Sequence, residues 1–425
     1  MKDFELNRGV IILTFTKDKP WVSDKWFVSP LNYLEEVRKK LTLPSKIIIH
    51  DVTLRDGEQE PGIVFTKEDK IKIARKLDEA GVGRIEAGMP LVSEEDREAI
   101  RLIVKEGLNA KIFAFTRAIR EDIDAAVSCG VDGVTVEIPV SDVYIRKVYK
   151  WTEEQVLEKI INAISHAKEH GLYATFFMMD LSRANLEWTL RLAKKVVIEA
   201  KADSVAIVDT YGALAPEAMK YLVNIFKTEV KVPIEVHTHN DLGLAVANAI
   251  AAVTAGAEIV HVSVNGLGER AGNADISEVV LALELLYNIK TGLKIEKLYE
   301  LSTLVQELSG VKMPPHKAVV GNGIFKIESG LPALTWLRVK DSMPLAKYSF
   351  LPSLVGQPDV EIMLGKKSGK ANIEYKAKAM GYTLTDEQLN EVLKKVKELS
   401  LKKKGLVSDR EFREIITEVL NKAQH

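Results

Sequence analysis

From Lys46 onward, the chain alternates between short apolar runs and longer stretches in which apolar residues recur every three or four positions. Apolar runs rich in β-branched residues, such as GVTVEIPV, predict buried strands. The longer stretches predict amphipathic helices; in TKEDKIKIARKLDEAG, Thr66 suits a helix start and Gly81 a helix end. Eight strands are predicted, in the segments KIIIHDV, GRIEAG, AKIFAFT, GVTVEIPV, YATFFMMD, SVAIVDT, PIEVHTH and IVHVSVNG.

Eight strand-then-helix units spread over ~250 residues are typical of one (β/α)8 TIM barrel, an α/β fold. An open doubly wound sheet is the alternative, but such a sheet would usually carry a glycine-rich phosphate loop after a strand. No segment of the form G-x-G-x-x-G is present. The barrel is therefore the preferred prediction.

The predicted barrel spans residues 46–295, with an N-terminal extension over residues 1–45 and a small, mainly helical region over residues 296–425. The composition changes after about Gly310, where VKMPPHKAVVGNGIF is rich in loop-forming residues. The segments TDEQLNEVLKKVKELSLKKKG and SDREFREIITEVL then predict a helical C-terminal region.

Composition narrows the class of protein. The formal net charge is -1 and no basic tract is evident, which argues against nucleic acid or an anionic membrane as a partner. Cys129 is the only cysteine, so an intramolecular disulfide is excluded and a reducing compartment is favoured. The first twenty residues lack the continuous apolar run of a signal peptide or a membrane span. We expect a cytoplasmic protein.

Polar clusters follow several predicted strands, at the end of a barrel where active sites gather. His237 and His239 lie one residue apart at the end of the seventh strand, so both side chains point to the same side and can bind one ion. The first strand closes beside the eighth, so Asp56 and Asn273 can reach the same point. Two nitrogens and two oxygens suit Mg, Mn, Co or Zn.

The segments HDVTLRDGEQEPG, HTHNDLGLAVANA and NGLGERAGN resemble the signature segments of the metal-dependent TIM-barrel lyase and synthase superfamily. Its members include isopropylmalate, homocitrate and citramalate synthases, and more distantly 3-hydroxy-3-methylglutaryl-CoA lyase and pyruvate carboxyltransferases. The resemblance covers about residues 46–295 and continues more weakly through LVGQPDVEIMLGKKSGKANI. It implies a divalent metal, an acyl-CoA co-substrate, a 2-oxo acid substrate and a homodimer. The C-terminal allosteric domain of the synthases is not expected here.

The resemblance also assigns roles to residues. It implies that Asp56, His237 and His239 are metal ligands, that Asn273 is a further or supporting ligand, and that Arg55 is the catalytic arginine. Thr210 matches a residue that binds the substrate carboxylate, although it could instead bond the backbone. Glu86 and Arg117 stand at strand ends, where they could meet substrate or form structural ion pairs. Glu269 and Arg270 could close the pocket or pair with each other.

Three positions depart from the synthase pattern. With Asp180 and Arg183 aligned to the synthase segment F-S-x-E-D-x-x-R, Met179 replaces the catalytic glutamate. Against the segment H-E-S-G-I-H, the chain reads IESGLP, so Ile327 and Pro332 replace both histidines. Tyr348 roughly matches a synthase tyrosine. The nearest polar replacements for the missing acid and base are Glu137, Asp180 and Tyr211, of which Glu137 and Tyr211 are the candidate catalytic residues.

Three functions remain open at this point. The first is an acyl-CoA-dependent synthase acting on a 2-oxo acid. The second is a metal-dependent aldolase, lyase or decarboxylase acting on a 2-oxo or 2-hydroxy acid, which would need the metal and Arg55 but not the missing residues. The third is a silent barrel with a regulatory or structural role, against which the intact metal cluster argues. The synthase is favoured because the segments after the barrel resemble those of the synthases.

Overall fold

The computed structural model describes residues 19–422 of the chain. The barrel prediction is confirmed, because eight parallel strands form one closed sheet in chain order. Each predicted apolar run supplies one strand. The strands are β1 (Ile48–Asp51), β2 (Arg84–Glu86), β3 (Lys111–Arg117), β4 (Gly133–Pro139), β5 (Tyr173–Met179), β6 (Ser204–Asp209), β7 (Ile234–Thr238) and β8 (Ile259–Val262).

A helix follows each strand and covers the outside of the barrel. The helices are α1 (Lys67–Ala80), α2 (Glu94–Lys105), α3 (Arg120–Cys129), α4 (Glu153–Glu169), α5 (Leu186–Glu199), α6 (Pro216–Glu229), α7 (Ala245–Val253) and α8 (Ile276–Tyr287). The start and end predicted for α1 are confirmed: Thr66 caps it in a reciprocal capping box with Asp69, and Gly81 ends it with a φ of 90°.

The ring closes between the first and last strands. Ile48 of β1 stands opposite Ile259 of β8, and Asp51 stands opposite Val262. The carboxyl ends of β1, β7 and β8 therefore meet at one end of the barrel. The polar segments that follow these three strands are brought to the same place.

The chain divides into two compact units. The first unit consists of Ser29–Met313 together with the described residues up to Trp21, and it contains the barrel. A further helix, α9 (Leu298–Ser309), follows α8 within this unit. The predicted boundaries at residues 45 and 295 stay predictions.

The second unit consists of Val22–Val28 and the chain from Pro314 onward. Two short parallel strands, β9 (Lys326–Ile327) and β10 (Glu361–Ile362), pair with each other. The predicted helical C-terminal region is confirmed. Its helices are α10 (Gly330–Val339), α11 (Lys370–Ala379), α12 (Asp386–Lys403) and α13 (Asp409–Lys422). Val392, Val396 and Phe412 belong to the fully buried core of this unit.

Among residues 19–422, no helix combines the length and the apolar character that a membrane crossing requires. The expectation that the first residues form neither a signal peptide nor a membrane span concerns residues 1–18, which lie outside the described part of the chain.

Candidate active site

The loop after β1 is held in place from two sides. Asp51 accepts hydrogen bonds from the backbone N–H and the hydroxyl of Thr53, both at 2.9 Å. On the other side, the Lys70 ammonium lies 2.6 Å from the carboxylate of Glu58 and 2.5 Å from that of Asp96. Lys70 is fully buried although it carries a charge. These contacts fix the turn that carries the next residues, Arg55 and Asp56.

Asp56, His237 and His239 converge at the mouth of the barrel. The Asp56 Oδ2 atom lies 3.3 Å from His237 Nε2 and 3.7 Å from His239 Nε2. The two imidazole nitrogens are 3.2 Å apart. All three side chains are buried. Three potential ligand atoms therefore face one point, as the spacing of the two histidines predicted.

The protonation states of this cluster favour a cation. Burial would raise the pKa of Asp56, but Arg55 and the two histidines outweigh it and hold that pKa well below its usual range. Burial lowers the pKa of His237 to about 3, against the opposing effect of Asp56. Burial also lowers the pKa of His239. A charged carboxylate therefore stands beside two neutral imidazoles, which is the state that binds metal.

Asn273 joins the cluster from the loop after β8. Its backbone pairs with that of His239, and its Nδ2 donates to the Leu267 carbonyl at 3.1 Å. Its Oδ1 is buried and has no hydrogen-bond partner among the described residues. At Gly268 any side chain would collide with Asn273 Nδ2 and the Asp56 carboxylate. An orphaned oxygen beside two imidazoles and a carboxylate fits a divalent cation.

Arg55 lies next to this cluster and is almost completely paired. Its Nε donates to Glu86 Oε1 at 2.5 Å, and its Nη1 donates to Asp56 Oδ2 at 3.0 Å. The guanidinium carbon stands 4.1 Å from the centre of the Phe115 ring. Nη2 is buried and finds no hydrogen-bond partner in the described chain. One donor of a rigidly held cation is therefore left for another molecule. Glu86, predicted to contact substrate, is placed here as the partner of Arg55.

Glu137 lies on β4 close to the same charges. Burial, helped by the carboxylates of Asp56 and Glu86, raises the pKa of Glu137 to about 7 against the opposing effect of Arg55. A carboxyl group that changes protonation near neutral pH is suited to moving a proton.

Thr210 and Tyr211 lie beyond the end of β6. The Thr210 hydroxyl oxygen accepts from the Asp180 backbone N–H at 2.8 Å, and its proton remains available to donate. The Tyr211 ring stands between two guanidinium groups, 4.1 Å from that of Arg183 and 5.1 Å from that of Arg270. Its hydroxyl bonds to the hydroxyl of Tyr144.

Arg270 forms an ion pair with Glu269, which was one of the alternatives from the sequence, and a second ion pair with Asp241. Its guanidinium lies 3.2 Å from the Glu269 carboxylate and 2.9 Å from that of Asp241. It also donates to the Thr210 carbonyl at 2.5 Å. The loop after β8 is thereby tied to the loops after β6 and β7.

Arg117 is not brought into the cluster around Arg55. Its guanidinium forms a two-point ion pair with Asp122, with bonds of 3.0 and 2.9 Å, and its side chain is 55% exposed. This is the structural ion pair that the sequence left open as the alternative to substrate binding.

The three positions that depart from the synthase pattern are apolar, and Asp180, a candidate replacement, already has hydrogen-bond partners. Met179 ends β5, and its carbonyl accepts from the Val140 N–H at 3.0 Å. The Asp180 carboxylate accepts from Ser141 at 2.6 Å and from Arg183 at 2.7 and 2.8 Å, which leaves it little capacity as a base. In the second unit, Ile327 is buried in a small apolar cluster and Pro332 lies in the first turn of α10.

A buried polar network inside the barrel was not predicted. Glu235 on β7 accepts from Arg84 at 2.9 Å and contacts His261 at 2.7 Å. The His261 ring stacks on that of His50 at 4.3 Å, and His50 Nε2 lies 3.7 Å from Glu86 Oε2. The available signal was the i, i+2 spacing of Glu235 and His237, and of Arg84 and Glu86, which puts each pair on one side of a strand.

Comparison with known families assigns most of the chain. Residues 46–305 match the family described as HMGL-like. Residues 319–404 match the family described as homocitrate synthase post-HMGL domain-like.

Several similar proteins carry synthase names. A 2-isopropylmalate synthase of Methanocaldococcus jannaschii is 42% identical over 393 residues, covering 92% of this chain and 74% of the relative. Homocitrate synthase AksA of Methanopyrus kandleri is 42% identical, and the alignment covers 91% of this chain and 96% of the relative. The (R)-citramalate synthase CimA of M. jannaschii is 42% identical, with coverage of 88% of this chain and 75% of the relative.

Solved structures share the barrel fold. The HMG-CoA lyase of Bacillus subtilis superposes with a TM-score of 0.58 at 23% identity, covering 64% of this chain and 97% of that chain. The HMG-CoA lyase of Pseudomonas aeruginosa gives a TM-score of 0.56 at 22% identity, with coverage of 64% and 95%. At these identities the likeness concerns the fold alone.

Proposed function

The chain belongs to the HMGL-like family, and from that premise we propose that it is a divalent-metal-dependent synthase that condenses an acyl-CoA with a 2-oxo acid. The observation that carries the proposal is the convergence of Asp56, His237 and His239 beside the free Nη2 of Arg55. The names of the similar proteins point to the same class of reaction.

We assign the cation to Asp56, His237 and His239, with the Asn273 oxygen as a further ligand. With open positions left for substrate oxygens, two nitrogens and two oxygens suit Mg, Mn, Co or Zn in an octahedral or near-octahedral site. A bound divalent cation would supply Lewis acidity to the keto group of the 2-oxo acid. Arg55 Nη2 is placed to donate a hydrogen bond to the oxygen that gains negative charge in the reaction. The Thr210 hydroxyl can donate to the substrate carboxylate.

Glu137 is the proposed base. It removes a proton from the carbon next to the thioester carbonyl, and that carbon then forms a bond to the keto carbon of the 2-oxo acid. The keto oxygen takes up a proton, with Tyr211 as the candidate donor. Water next cleaves the thioester and releases the free CoA thiol. The pKa of Glu137, raised by burial to about 7, supports this role because both protonation states are then accessible near neutral pH.

A lyase or decarboxylase acting on a 2-oxo or 2-hydroxy acid is the second candidate. It is favoured by Met179, since a thioether cannot take the proton that the synthase glutamate takes. Such an enzyme would use the same cation and Arg55. Phe115, Phe177 and Val208 belong to a buried apolar cluster that contacts Arg55 and His237, and such a surface would suit either reaction.

The test is release of free thiol from acetyl-CoA with pyruvate, 2-oxoisovalerate, oxaloacetate or 2-oxoglutarate, beside retro-aldol and decarboxylation assays on the matching acids. Since a general acid or base contributes on the order of 10²–10⁴-fold, we expect Glu137→Gln to lose activity by such a factor. Arg55→Ala should lose it as well. Met179→Leu should keep it, because the side chain at position 179 has no part in proton transfer.

Three outcomes would count against these assignments. Thiol release with 2-oxoisovalerate or 2-oxoglutarate at ~10 s⁻¹, together with its loss in Met179→Leu, would give position 179 a catalytic part. Retained activity in Glu137→Gln would remove Glu137 as the base. Turnover only in the retro-aldol or decarboxylation assays would replace the synthase by the second candidate.

A further inference from the structure

A second group of metal-ligating side chains lies on the outer layer of helices. His166 and His170 stand one turn apart at the C-terminal end of α4, and Asp124 lies on the neighbouring helix α3. A nitrogen of each histidine and a carboxylate oxygen of Asp124 all lie within 4.8 Å of one another. The mechanism proposed above uses none of these residues.

The geometry of this group is tighter than an ordinary surface ion pair. His166 Nε2 lies 2.6 Å from Asp124 Oδ1. The His170 ring meets the His166 ring edge to face, with 4.7 Å between their centres. Because residues four apart on a helix share one face, the two imidazoles are presented together to α3.

His166 is also unusually placed for a surface histidine. It is only 6% exposed, and its Nδ1 is buried without a hydrogen-bond partner in residues 19–422. The Glu169 carboxylate lies 3.6 Å from that Nδ1. The hydrogen bond to Asp124 satisfies Nε2 of His166. It explains neither the unpaired Nδ1 nor the adjacent His170.

The surroundings add negative charge and access to solvent. The two carboxylates of Asp124 and Glu169 flank the ring, and the C-terminal end of α4 adds the negative end of the helix dipole. A cavity of about 450 Å³ opens beside His166. Its lining includes Arg120, Lys159, Asn162, Ser165 and Glu169. Asp124 and His170 are themselves exposed, so water can reach the group as an additional ligand.

We propose that Asp124, His166 and His170 form a binding site for a divalent transition-metal ion, best matched by Zn²⁺, that links α3 to α4. Two imidazoles, one carboxylate and a water give the tetrahedral ligand set that Zn²⁺ prefers, at bond lengths of ~2.1 Å. Mg²⁺ is a poor match because it prefers oxygen ligands in an octahedron. The site is independent of the chemistry at the barrel mouth.

The test measures bound Zn²⁺ per chain in the full-length protein, after metal removal and equilibration at a fixed free Zn²⁺ concentration. The variants are His170→Gln and Asp124→Asn, and the matched control is His316→Gln, which removes an exposed imidazole elsewhere. The same four proteins are measured in a His237→Ala, His239→Ala background, so that the cluster at the barrel mouth does not contribute. Circular dichroism verifies that each variant is folded.

In that background we expect one Zn²⁺ per chain in the parent and in the His316→Gln control, and less than one-tenth of that in His170→Gln and Asp124→Asn. Zn²⁺ should also raise the midpoint of thermal unfolding in the parent but not in His170→Gln, since the ion joins two helices. Equal Zn²⁺ in the parent and in His170→Gln would overturn the proposal. So would an equal loss in the His316→Gln control, or binding of Mg²⁺ at the same concentration.

Discussion

Arg55 is surrounded by carboxylates, yet one of its nitrogens faces none of them. Glu86 and Asp56 hold Nε and Nη1, and the Phe115 ring covers one face of the guanidinium. The side chain can therefore neither swing away nor lose its charge. A fixed donor needs no reorganisation when negative charge develops on a substrate oxygen, which is why its unpaired Nη2 is the group we assign to that oxygen.

Metal occupancy is the direct measure of the three-ligand cluster. We expect His237→Ala and His239→Ala each to lower Mn²⁺ occupancy of the purified protein strongly, because each removes one of three ligands held within 3.7 Å of one another. Elemental analysis after equilibration with Mn²⁺ measures the effect. Unchanged occupancy in both variants would sink the assignment; His316→Ala serves as the control.

At the scale of elements, the loop after β1 depends on a buried lysine. Lys70 on α1 joins Glu58 of that loop to Asp96 of α2, and it donates to the Leu54 carbonyl at 3.3 Å. The loop, two helices and the position of Arg55 therefore depend on one ammonium group. Its burial means that the two carboxylates would lose their counter-charge together if it were removed.

Lys70→Met should lower the free energy of unfolding by about 1–3 kcal/mol, because it leaves two partly buried carboxylates, 21% and 16% exposed, without their counter-charge. Denaturant titration measures this change. Lys72→Met on the same helix is the control, since Lys72 is more than half exposed and its nearest carboxylate oxygen on Asp69 lies 3.7 Å away. If the two variants were equally stable, Lys70 would not hold the loop.

Asp51 at the end of β1 predicts a pH-dependent stability. Burial raises the pKa of Asp51 from 3.8 to about 7, against hydrogen bonds from Thr53 that lower it. Between these two values the folded protein keeps a proton that the unfolded chain has released. The free energy of unfolding therefore falls as the pH rises through this window, and above it the full loss remains with no further pH dependence from Asp51.

Asp51→Asn should remove this dependence. Relative to the parent protein, the variant should gain up to about 4 kcal/mol in the free energy of unfolding between pH 4 and pH 8. Denaturant titrations at the two pH values measure the gain, with the exposed Asp341→Asn as a control. Parallel pH profiles for the parent protein and Asp51→Asn would contradict the assignment.

The elements themselves could be predicted from the sequence, because strands buried on both faces form continuous apolar runs. The His237 and His239 spacing also located the cluster of potential ligands that these two residues form with Asp56. Two features could not be found in this way. An arginine at a strand end, such as Arg117, looks the same in the sequence whether its side chain binds substrate or pairs with Asp122. The contact of His50 with His261 depends on which side chains meet across the barrel interior. The spacing of residues along one strand does not predict such contacts.

At the scale of the whole molecule, we propose that the chain forms a homodimer through the second unit. Leu331 on α10 is 75% exposed, and Met343 is also exposed. The cavity of about 550 Å³ in this unit is lined in part by Ile327, Pro332 and Leu406. Apolar surface of this kind is typical of a region that another chain covers.

Light scattering should give twice the 47.3 kDa of one chain. Leu331→Glu should shift the protein toward the monomer, while Leu401→Glu, at another exposed leucine of the same unit, should not. A monomeric parent protein with full activity at the working concentration would refute the dimer.

The pairing of β1 with β8 also sets an order of events while the chain is being synthesised. Asp56 leaves the ribosome long before Glu269, whose N–H reaches it across 213 positions. A nascent chain that stops before Ile259 lacks β8, so its sheet is open, and it also lacks Asn273, one of the proposed ligands. The cation would therefore add its binding energy only to chains that have closed the ring. A supply of the cation would therefore stabilise complete chains but not chains that ended prematurely.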